Sequence, residues 1–320
     1  MRYSRREFGK AALAGAAVSL LSPPTRSAAA MTVRGVKVGL ITGTLNPIGE
    51  LGGRDPIDVI IEQVRALGVV DVELVTVFPQ GQPQIVTGGR FGQPPGPGQR
   101  TPEFEKSRQA LREWRLALPL DRFREVRQKF DAAKLNLFSY VQTIDDDMTD
   151  AEIDAVFKQM QALRVPMFTT NQTRVGMGPR IAPHAEKYNI KAAWHPHAQI
   201  QDPNEVATPR SMELLLGMSN AFVLNLDIGH FTAGNNDATA FLRTHHARIT
   251  HLHIKDRKRM DGPNVQLGTG DTPIKECATL IRDNKWPIML ILEREYRDAP
   301  GTPVEQTRWQ LDYVKGLLES

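Results

Sequence analysis

Short apolar runs alternate with amphipathic stretches from residue 36 to the end of the chain, and this alternation limits the fold more than any other feature. The apolar runs predict eight strands, at Val36–Thr42, Val69–Val77, Leu135–Thr143, Val165–Asn171, Ile190–His195, Ala221–Asp227, Ile249–Ile254 and Pro287–Glu293. The other stretches predict helices at 56–67, 119–133, 150–163, 180–188, 208–218, 237–246, 272–284 and 303–318. Strands that alternate with helices pair in parallel through crossovers. Eight such units over about 290 residues predict a single-domain (β/α)8 TIM barrel.

A doubly wound sheet is the main alternative for this pattern. A dinucleotide-binding sheet would carry a GxGxxG turn after its first strand, and residues 42–46 read Thr-Gly-Thr-Leu-Asn instead. The chain also lacks the Gly-x-Ser-x-Gly motif of serine hydrolases and the His-Glu-x-x-His motif of zinc proteases. The sequence therefore favours the barrel.

The first 30 residues have the composition of an export signal. A basic segment, Ser4–Lys10, precedes an apolar run, Ala11–Leu21, and small residues up to Ala30 offer a cleavage site. The Arg-Arg pair followed by Phe and Lys resembles a twin-arginine signal. The apolar run is about half as long as a membrane span. We therefore expect 1–30 to be removed and 31–320 to work in the periplasm or another extracytoplasmic space, without a stable membrane anchor.

The net charge of +4 comes from this leader. Residues 1–30 hold five of the 40 basic residues and one of the 36 acidic residues, which leaves 35 of each in the remainder. A nucleic-acid surface needs clustered Lys and Arg on the folded domain, so no nucleic-acid partner is expected. The lone Cys277 excludes a disulfide framework and a cysteine-based zinc cluster.

An insertion at about 79–117 interrupts the rhythm after the second strand. Within Pro79–Pro102, 12 of 24 residues are Gly or Pro and none is acidic. In a barrel this segment would follow a strand at the C-terminal face. It is either a disordered surface insertion or a lid or partner-binding loop, since long ordered loops usually serve a function.

Five of the eight histidines lie at or just beyond predicted strand ends: His195, His197, His230, His251 and His253. The C-terminal strand ends of a barrel meet at one face, which carries the active site. Side chains along a strand alternate between its two faces, so alternate residues of a strand share a face. His195 and His197 therefore point the same way, and so do His251, His253 and Lys255.

Carboxylates close two of the same strands. Asp227 ends one, and Glu293 ends another after the apolar run Leu290–Leu292. Such a group costs free energy of desolvation unless it is paired or bound to a metal. Two imidazoles with two carboxylates suit Mn²⁺, Co²⁺, Zn²⁺ or Fe²⁺, and Mg²⁺ is a further candidate. The sequence therefore predicts one divalent metal, with His195 or His197 as the ligand from the fifth strand.

Several motifs follow one another in the C-terminal half: Asp227-Ile228-Gly229-His230, Ala233-Gly234-Asn235, His251-Leu252-His253-Ile254-Lys255-Asp256, Leu267-Gly268-Thr269-Gly270-Asp271 and Leu292-Glu293. Their order resembles the sugar phosphate isomerase/epimerase family of xylose isomerase-like TIM barrels. The resemblance covers roughly residues 190–295. In the N-terminal half it rests on the strand–helix rhythm and on Glu73 in the second strand.

The resemblance implies one metal held by residues from four strands. Asp227, His253 and Glu293 match three of the family ligands. His195 takes the fourth position, where the family epimerases carry a glutamate and some relatives carry His-x-His. Glu295 is the alternative ligand if the last strand ends later than predicted.

The resemblance also implies roles around the metal. His230 resembles a substrate-contacting histidine, and Arg257 or Arg259 resembles an arginine that holds substrate oxygens. Glu293 is the first choice of base, with His195 or His197 as the partner acid near neutral pH. Lys255 or Arg259 would offset developing negative charge, although Lys255 could instead form a structural ion pair. His230 is counted with the catalytic residues, and His197 and Glu73 with the substrate-binding residues.

These features lead to a metal-dependent isomerase or epimerase of a small carbohydrate, which removes a proton and forms an enediolate. The imidazole at His195 brings two-base epimerisation into question. The alternative is therefore a lyase or dehydratase that acts by β-elimination on a keto-sugar, keto-glycoside or keto-cyclitol. A three-metal apurinic endonuclease is less expected, since a formally neutral domain has no excess of basic residues for a nucleic-acid groove. A non-catalytic sugar-binding barrel is also less expected, because Asp227, His253 and Glu293 are retained.

Overall fold

The computed structural model describes residues 31–77, 100–296 and 299–320. Its eight main strands are β1 (Val36–Ile41), β2 (Asp71–Leu74), β3 (Asn136–Gln142), β4 (Met167–Thr170), β5 (Lys191–Trp194), β6 (Phe222–Asp227), β7 (Ile249–Ile254) and β8 (Met289–Leu292). Each strand pairs in parallel with the next, and β8 pairs with β1 to close the ring. The predicted single-domain (β/α)8 barrel is confirmed.

Ten helices are present in the described residues: α1 (Pro56–Leu67), α2 (Pro102–Ala117), α3 (Leu120–Ala132), α4 (Asp150–Leu163), α5 (Gly178–Tyr188), α6 (Pro209–Met218), α7 (Ile228–Ala233), α8 (Ala238–His245), α9 (Ile274–Asn284) and α10 (Pro303–Glu319). Short 3-10 turns lie at Thr42–Leu45, Val175–Met177 and His246–Arg248. A two-residue strand, Thr32–Val33, pairs antiparallel with β1. The pair Asp256–Arg257 and Asn264–Val265 forms a small antiparallel ribbon beyond β7.

The sequence accounts for these elements locally. Every residue of β6 is buried, as expected of a parallel strand covered on both faces. Helix α1 begins with Asp55 as its N-cap and Pro56 at its first position, and it ends at Gly68 with φ 73°. Helix α4 begins with a capping box, in which Thr149 Oγ1 accepts from the Glu152 N–H and the Glu152 carboxylate accepts from the Thr149 N–H. The apolar core lies between the strands and the surrounding helices.

Two helices, α2 and α7, were not predicted from the sequence pattern. The last part of the predicted insertion forms α2, which Thr101 caps by accepting from the Phe104 N–H. Its buried residues are Phe104, Arg108 and Leu111, and two apolar positions are too few to predict a helix from the sequence. The short α7 has Asp227 as its N-cap, and the Asp227 carboxylate accepts from the His230 N–H at 2.7 Å.

Two sequence predictions fall outside the described residues. These are the leader, 1–30, and the Gly/Pro-rich part of the insertion up to residue 99. Among the helices that the structure describes, none is both long and apolar enough to cross a membrane.

A buried charge network joins α2 to α4. Glu152 accepts from Arg108 Nη1 at 3.0 Å, Arg112 Nε at 3.1 Å and Arg115 Nη1 at 2.7 Å. The side chains of Arg108 and Glu152 are 2% and 0% exposed. Burial opposes the charge on Glu152, but the Thr149 N–H and the arginines lower its pKa to about 2. The network therefore fixes α2 against the barrel.

We expect Glu152→Gln to lower the free energy of unfolding by about 3 kcal/mol, because it removes the buried negative charge that Arg108, Arg112 and Arg115 share and leaves Arg108 with Asp147 alone. Urea denaturation measures the loss. Glu62→Gln, which breaks an exposed pair with Arg54, is the control and should change the free energy of unfolding little. Equal losses in the two variants would contradict this assignment.

The stability that Glu152 supplies depends on pH. A carboxyl group whose pKa is lower in the folded state stabilises the fold at pH values above its pKa in the unfolded chain. The contribution of Glu152 to stability should therefore be complete above pH 4.5, the ordinary pKa of a glutamate, and fade as the pH falls towards 2.

Candidate metal centre and adjoining cavity

The candidate site lies at the C-terminal end of the barrel, where each of the strands β5 to β8 contributes one polar side chain. His195 follows β5, Asp227 ends β6, His253 is the second-last residue of β7 and Glu293 follows β8. The register pairs Asp227 with His253 across β6 and β7. Paired residues of neighbouring strands direct their side chains to the same face of the sheet. Four potential metal ligands are thereby brought together.

One donor atom from each of these four residues lies within 4.8 Å of the others. Asp227 Oδ2 and Glu293 Oε2 are buried and have ion-pair contacts with Lys255, but they make no hydrogen bond of good geometry with the described residues. His253 Nδ1 and His195 Nδ1 are likewise buried without such a hydrogen bond. Buried polar atoms without a well-formed hydrogen bond are costly. Two imidazoles and two carboxylates are suitable donors for a divalent transition metal. The residues present therefore fit a metal, and His195 rather than His197 belongs to this cluster.

Burial shapes the protonation of the cluster. Burial, followed by the charge of His253, holds the pKa of His195 well below its usual range, so its imidazole is neutral as a ligand must be. Burial raises the pKa of Asp227 to about 7. Burial disfavours a charge on His253, yet the carboxylates of Glu293 and Glu73 raise its pKa to about 10. A metal at this position competes with the proton on His253, because ligands bind metals in their deprotonated form.

Lys255 is a buried ammonium that joins the acidic groups. Its Nζ lies 3.1 Å from Asp227 Oδ2 and 2.9 Å from Glu293 Oε2. It also lies 2.7 Å from Glu295 Oε2. Burial lowers the pKa of Lys255, but these carboxylates outweigh it and raise the pKa overall. A Cβ at Gly229 would lie 2.3 Å from Lys255 Cγ, so the glycine after Asp227 admits this side chain.

Two further histidines line the open side of the site. His197 Nδ1 lies 3.2 Å from Glu205 Oε1. His230 lies between two cations, with Arg257 Nη1 at 2.7 Å from Nδ1 and Lys255 Nζ at 3.0 Å from Nε2. Burial, followed by the charge of Lys255, holds the pKa of His230 well below its usual range. His230 is therefore a neutral ring, and only one of its nitrogens can accept a hydrogen bond from a neighbouring cation.

Three residues predicted for the site take other positions. Arg259 is exposed and does not line the cavity, and its backbone N–H donates to Asp271 Oδ2 at 2.9 Å. Glu295 lines the cavity and pairs with Lys255, but it does not belong to the group of four. Glu73 is fully buried beneath His253 and is not among the residues that line the cavity. A substrate in the cavity would therefore meet Arg257 but neither Arg259 nor Glu73.

A cavity of about 1470 Å³ opens beside the cluster. Four of its lining residues, His197, His230, Arg257 and Glu295, were predicted for the site from the sequence. Others were not predicted, including Asn46, Asn171, Gln199, Glu205, Arg294 and Tyr296. These residues lie on loops after the strands and belong to no motif, so only the fold brings them together. Their amide, hydroxyl and charged groups suit a ligand rich in hydroxyl oxygens.

The loop after β7 explains the Leu267–Asp271 motif. The Asp256 carboxylate accepts from the N–H groups of Gly268 and Gly270, both at 2.8 Å, and of Thr272 at 3.1 Å. A Cβ at Gly270 would lie 1.9 Å from Asp256 Oδ1, so only glycine fits there. The loop is thereby fixed beside Arg257.

Part of the chain is similar in sequence to known proteins. Residues 179–317 match a family model described as "Xylose isomerase-like TIM barrel". An inosose dehydratase from Lactiplantibacillus plantarum is 24% identical over 153 residues, which are 42% of this chain and 50% of that protein. The chain thus spans about half the length of the curated relatives it matches.

Solved structures share the whole fold. A sugar phosphate isomerase/epimerase from Parabacteroides distasonis has 17% identity and a TM-score of 0.58, over 92% of this chain and 98% of that chain. A D-psicose 3-epimerase from Clostridium cellulolyticum has 13% identity and a TM-score of 0.59, over 88% of this chain and 99% of that chain. At this identity the likeness concerns the fold alone.

Proposed function

We propose that this protein is a divalent-metal-dependent lyase that performs β-elimination on a ketone-bearing carbohydrate or cyclitol. The observation that carries the proposal is the unlike pair of proton-handling groups beside the metal cluster. Glu293 is an ionised carboxylate, whereas the fifth strand supplies the imidazoles His195 and His197 instead of a second carboxylate. Elimination needs one base and one acid, which this pair provides. The match to an inosose dehydratase supports the same class.

The metal would be held by His195, Asp227, His253 and Glu293. When bound, it would supply Lewis-acid stabilisation for negative charge on adjacent substrate oxygens. Burial opposes ionisation of Glu293, but Lys255 and His253 outweigh it and hold the pKa of this carboxyl well below its usual range. Glu293 is therefore ionised, as a base must be before it accepts a proton. Arg257 lines the cavity and can orient a substrate oxygen.

His197 is suited to protonate the leaving group. Its Nδ1 faces Glu205, and among the described residues no hydrogen bond engages its Nε2. In the reaction the C–H bond next to the ketone breaks and its proton passes to Glu293. The β C–O bond then breaks, and the departing oxygen takes a proton from His197 Nε2. The products are an α,β-unsaturated ketone and water or an alcohol.

The test follows both steps in Mn²⁺-loaded protein supplied with keto-glycosides and keto-cyclitols in D₂O. Elimination produces an enone, seen by its ultraviolet absorbance, together with the released alcohol or water. Exchange of the proton next to the ketone, followed by NMR, reports the first step alone. Exchange that yields only a new isomer, or no exchange with any such substrate, would overturn the lyase assignment.

An isomerase or epimerase remains the second candidate. His195 and Glu293 belong to different strands, and both present buried atoms without a well-formed hydrogen bond. These two groups could exchange protons with opposite faces of one carbon. The same NMR experiment separates the reactions, because isomerisation releases neither water nor an alcohol and forms no enone.

We expect His197→Gln to separate the two chemical steps. Loss of a general acid lowers the rate of elimination by roughly a hundredfold or more, while proton exchange by Glu293 continues. Enone formation and exchange are measured on the same samples. His184→Ala is the control, since His184 stacks on Phe157 in the outer helices and should leave both rates unchanged. An equal fall in exchange and elimination would remove His197 from the acid role.

A further inference from the structure

A carboxylate that the proposed reaction does not use lies beneath the four candidate metal ligands. Glu73 belongs to β2 and is fully buried inside the barrel. Its Oε2 lies 2.5 Å from Nε2 of His253, a residue 180 positions away in sequence. His253 Nδ1, on the opposite side of the ring, faces Glu293 Oε2 at 2.9 Å and Asp227 Oδ2 at 4.0 Å. The ring of His253 thus lies between Glu73 and the cluster.

Neighbouring strands hold Glu73 in this position. Its Oε1 accepts from Ser139 Oγ at 2.9 Å and from Thr169 Oγ1, and His251 Nε2 lies 3.5 Å away. The β2–β3 register shifts between Val72 and Glu73, and the shift places Ser139 beside Glu73. Such irregularities often re-aim a side chain next to a site. The carboxylate is therefore fixed by residues from β3 and β4 before it meets His253.

This contact decides which nitrogen of His253 can bind a metal. A neutral imidazole carries one N–H and one lone pair, and the partner of the first fixes the position of the second. Carboxylates face both nitrogens, Glu73 at Nε2 and Glu293 at Nδ1. To act as a metal ligand, His253 must give up one of its two protons. Glu73 is not among the four candidate ligands and can only accept, so the proton that remains is on Nε2 and the lone pair is on Nδ1. Asn225 Nδ2 also lies 2.9 Å from Nε2. Rotation of that amide brings Oδ1, which makes no hydrogen bond as placed, to the same N–H as a second acceptor.

We propose that Glu73 is a positioning residue that commits His253 to bind the metal through Nδ1. The inference rests on the proposed metal-dependent function. It assigns to the second strand a part in the metal site, although the four ligands come from β5 to β8. Outer carboxylates of this kind raise the basicity of a histidine ligand and fix its orientation.

The test measures Co²⁺ affinity by titration calorimetry for the wild-type protein and for Glu73→Gln. Glutamine keeps the size of the side chain and removes its charge, and we expect Co²⁺ to bind about 10- to 100-fold more weakly. Asp71→Asn is the matched control. Asp71 is also buried in β2, two residues earlier, and accepts from Asn136 Nδ2 at 2.6 Å, not from His253. Its loss should leave Co²⁺ affinity unchanged.

Unchanged affinity in Glu73→Gln, or an equal loss in both variants, would overturn the inference. Wild-type protein that binds no Co²⁺ would instead overturn the proposed function. If Glu73→Gln does not fold, ¹⁵N NMR of the His253 ring in Zn²⁺-loaded wild-type protein decides the question. A proton on Nε2 supports the role of Glu73, and a proton on Nδ1 contradicts it.

Discussion

Glu293→Ala is expected to remove the bound metal and to lower kcat/KM by about a thousandfold or more. A metal contributes several kcal/mol of transition-state stabilisation, and each 1.36 kcal/mol corresponds to about tenfold in rate. Glu293 supplies both a ligand atom and the proposed base, so the variant loses two contributions at once. Asp227→Ala should lose the metal as well. Metal content by mass spectrometry and turnover of the same preparation measure the two effects.

Asp121→Ala is the control for this prediction. Asp121 lies on α3 with its side chain 90% exposed, and it pairs only with Arg124 among the described ion pairs. Its loss should leave metal content and turnover unchanged. Full activity in Glu293→Ala, or in chelator-treated wild-type protein, would sink the metal-dependent mechanism. A metal content of three per chain would favour the endonuclease class instead.

Lys255→Met should destabilise the fold by about 3–5 kcal/mol in the absence of metal, because it leaves buried carboxylates without their cation. The side chain of Lys255 is 2% exposed and contacts Asp227, Glu293 and Glu295. Turnover should also fall, since the pKa of Glu293 rises and the base is no longer reliably ionised. Urea denaturation in the presence of a chelator measures the loss of stability.

Added metal is expected to restore part of this stability. A divalent cation that binds only the folded state stabilises it by mass action, and it would contact the same Asp227 and Glu293 oxygens that Lys255 contacts. Unfolding is therefore compared with chelator and with excess Mn²⁺. Lys187→Met, which removes a 62% exposed ammonium paired with Asp154, should show neither effect. If Lys255→Met loses the same free energy of unfolding with chelator and with excess Mn²⁺, Lys255 does not belong to the metal site.

Local signals were sufficient for the barrel. Apolar runs of strand length and amphipathic stretches depend only on neighbouring residues, so periodicity predicted all eight strands and eight of the ten described helices. The same rule placed His195, Asp227, His253 and Glu293 at strand ends, and the C-terminal ends of parallel strands converge whatever the loops do. Helix α2 was missed because its buried face includes Arg108, which hydropathy counts as exposed.

The partners of each polar group could not be obtained in this way. His253 and Glu73 lie 180 residues apart, and the pairing depends on a register shift between β2 and β3. Glu205 faces His197 because the loop after β5 folds back on itself, with the His197 N–H donating to Val206 O at 2.8 Å. The sequence allows Lys255 to be a catalytic cation or a structural ion pair, and its contacts to Asp227 and Glu293 depend on the fold.

Short-range periodicity and strand direction are sufficient to predict the barrel, the face that carries the site and the residue types that could hold a metal. The inclusion of His195 in the cluster, the place of Arg257 in the cavity lining and the position of Glu73 beneath His253 depend on the folded barrel. Burial, ionisation and tautomer are set by contacts between distant segments. Such contacts exist only after the strands have closed into a ring.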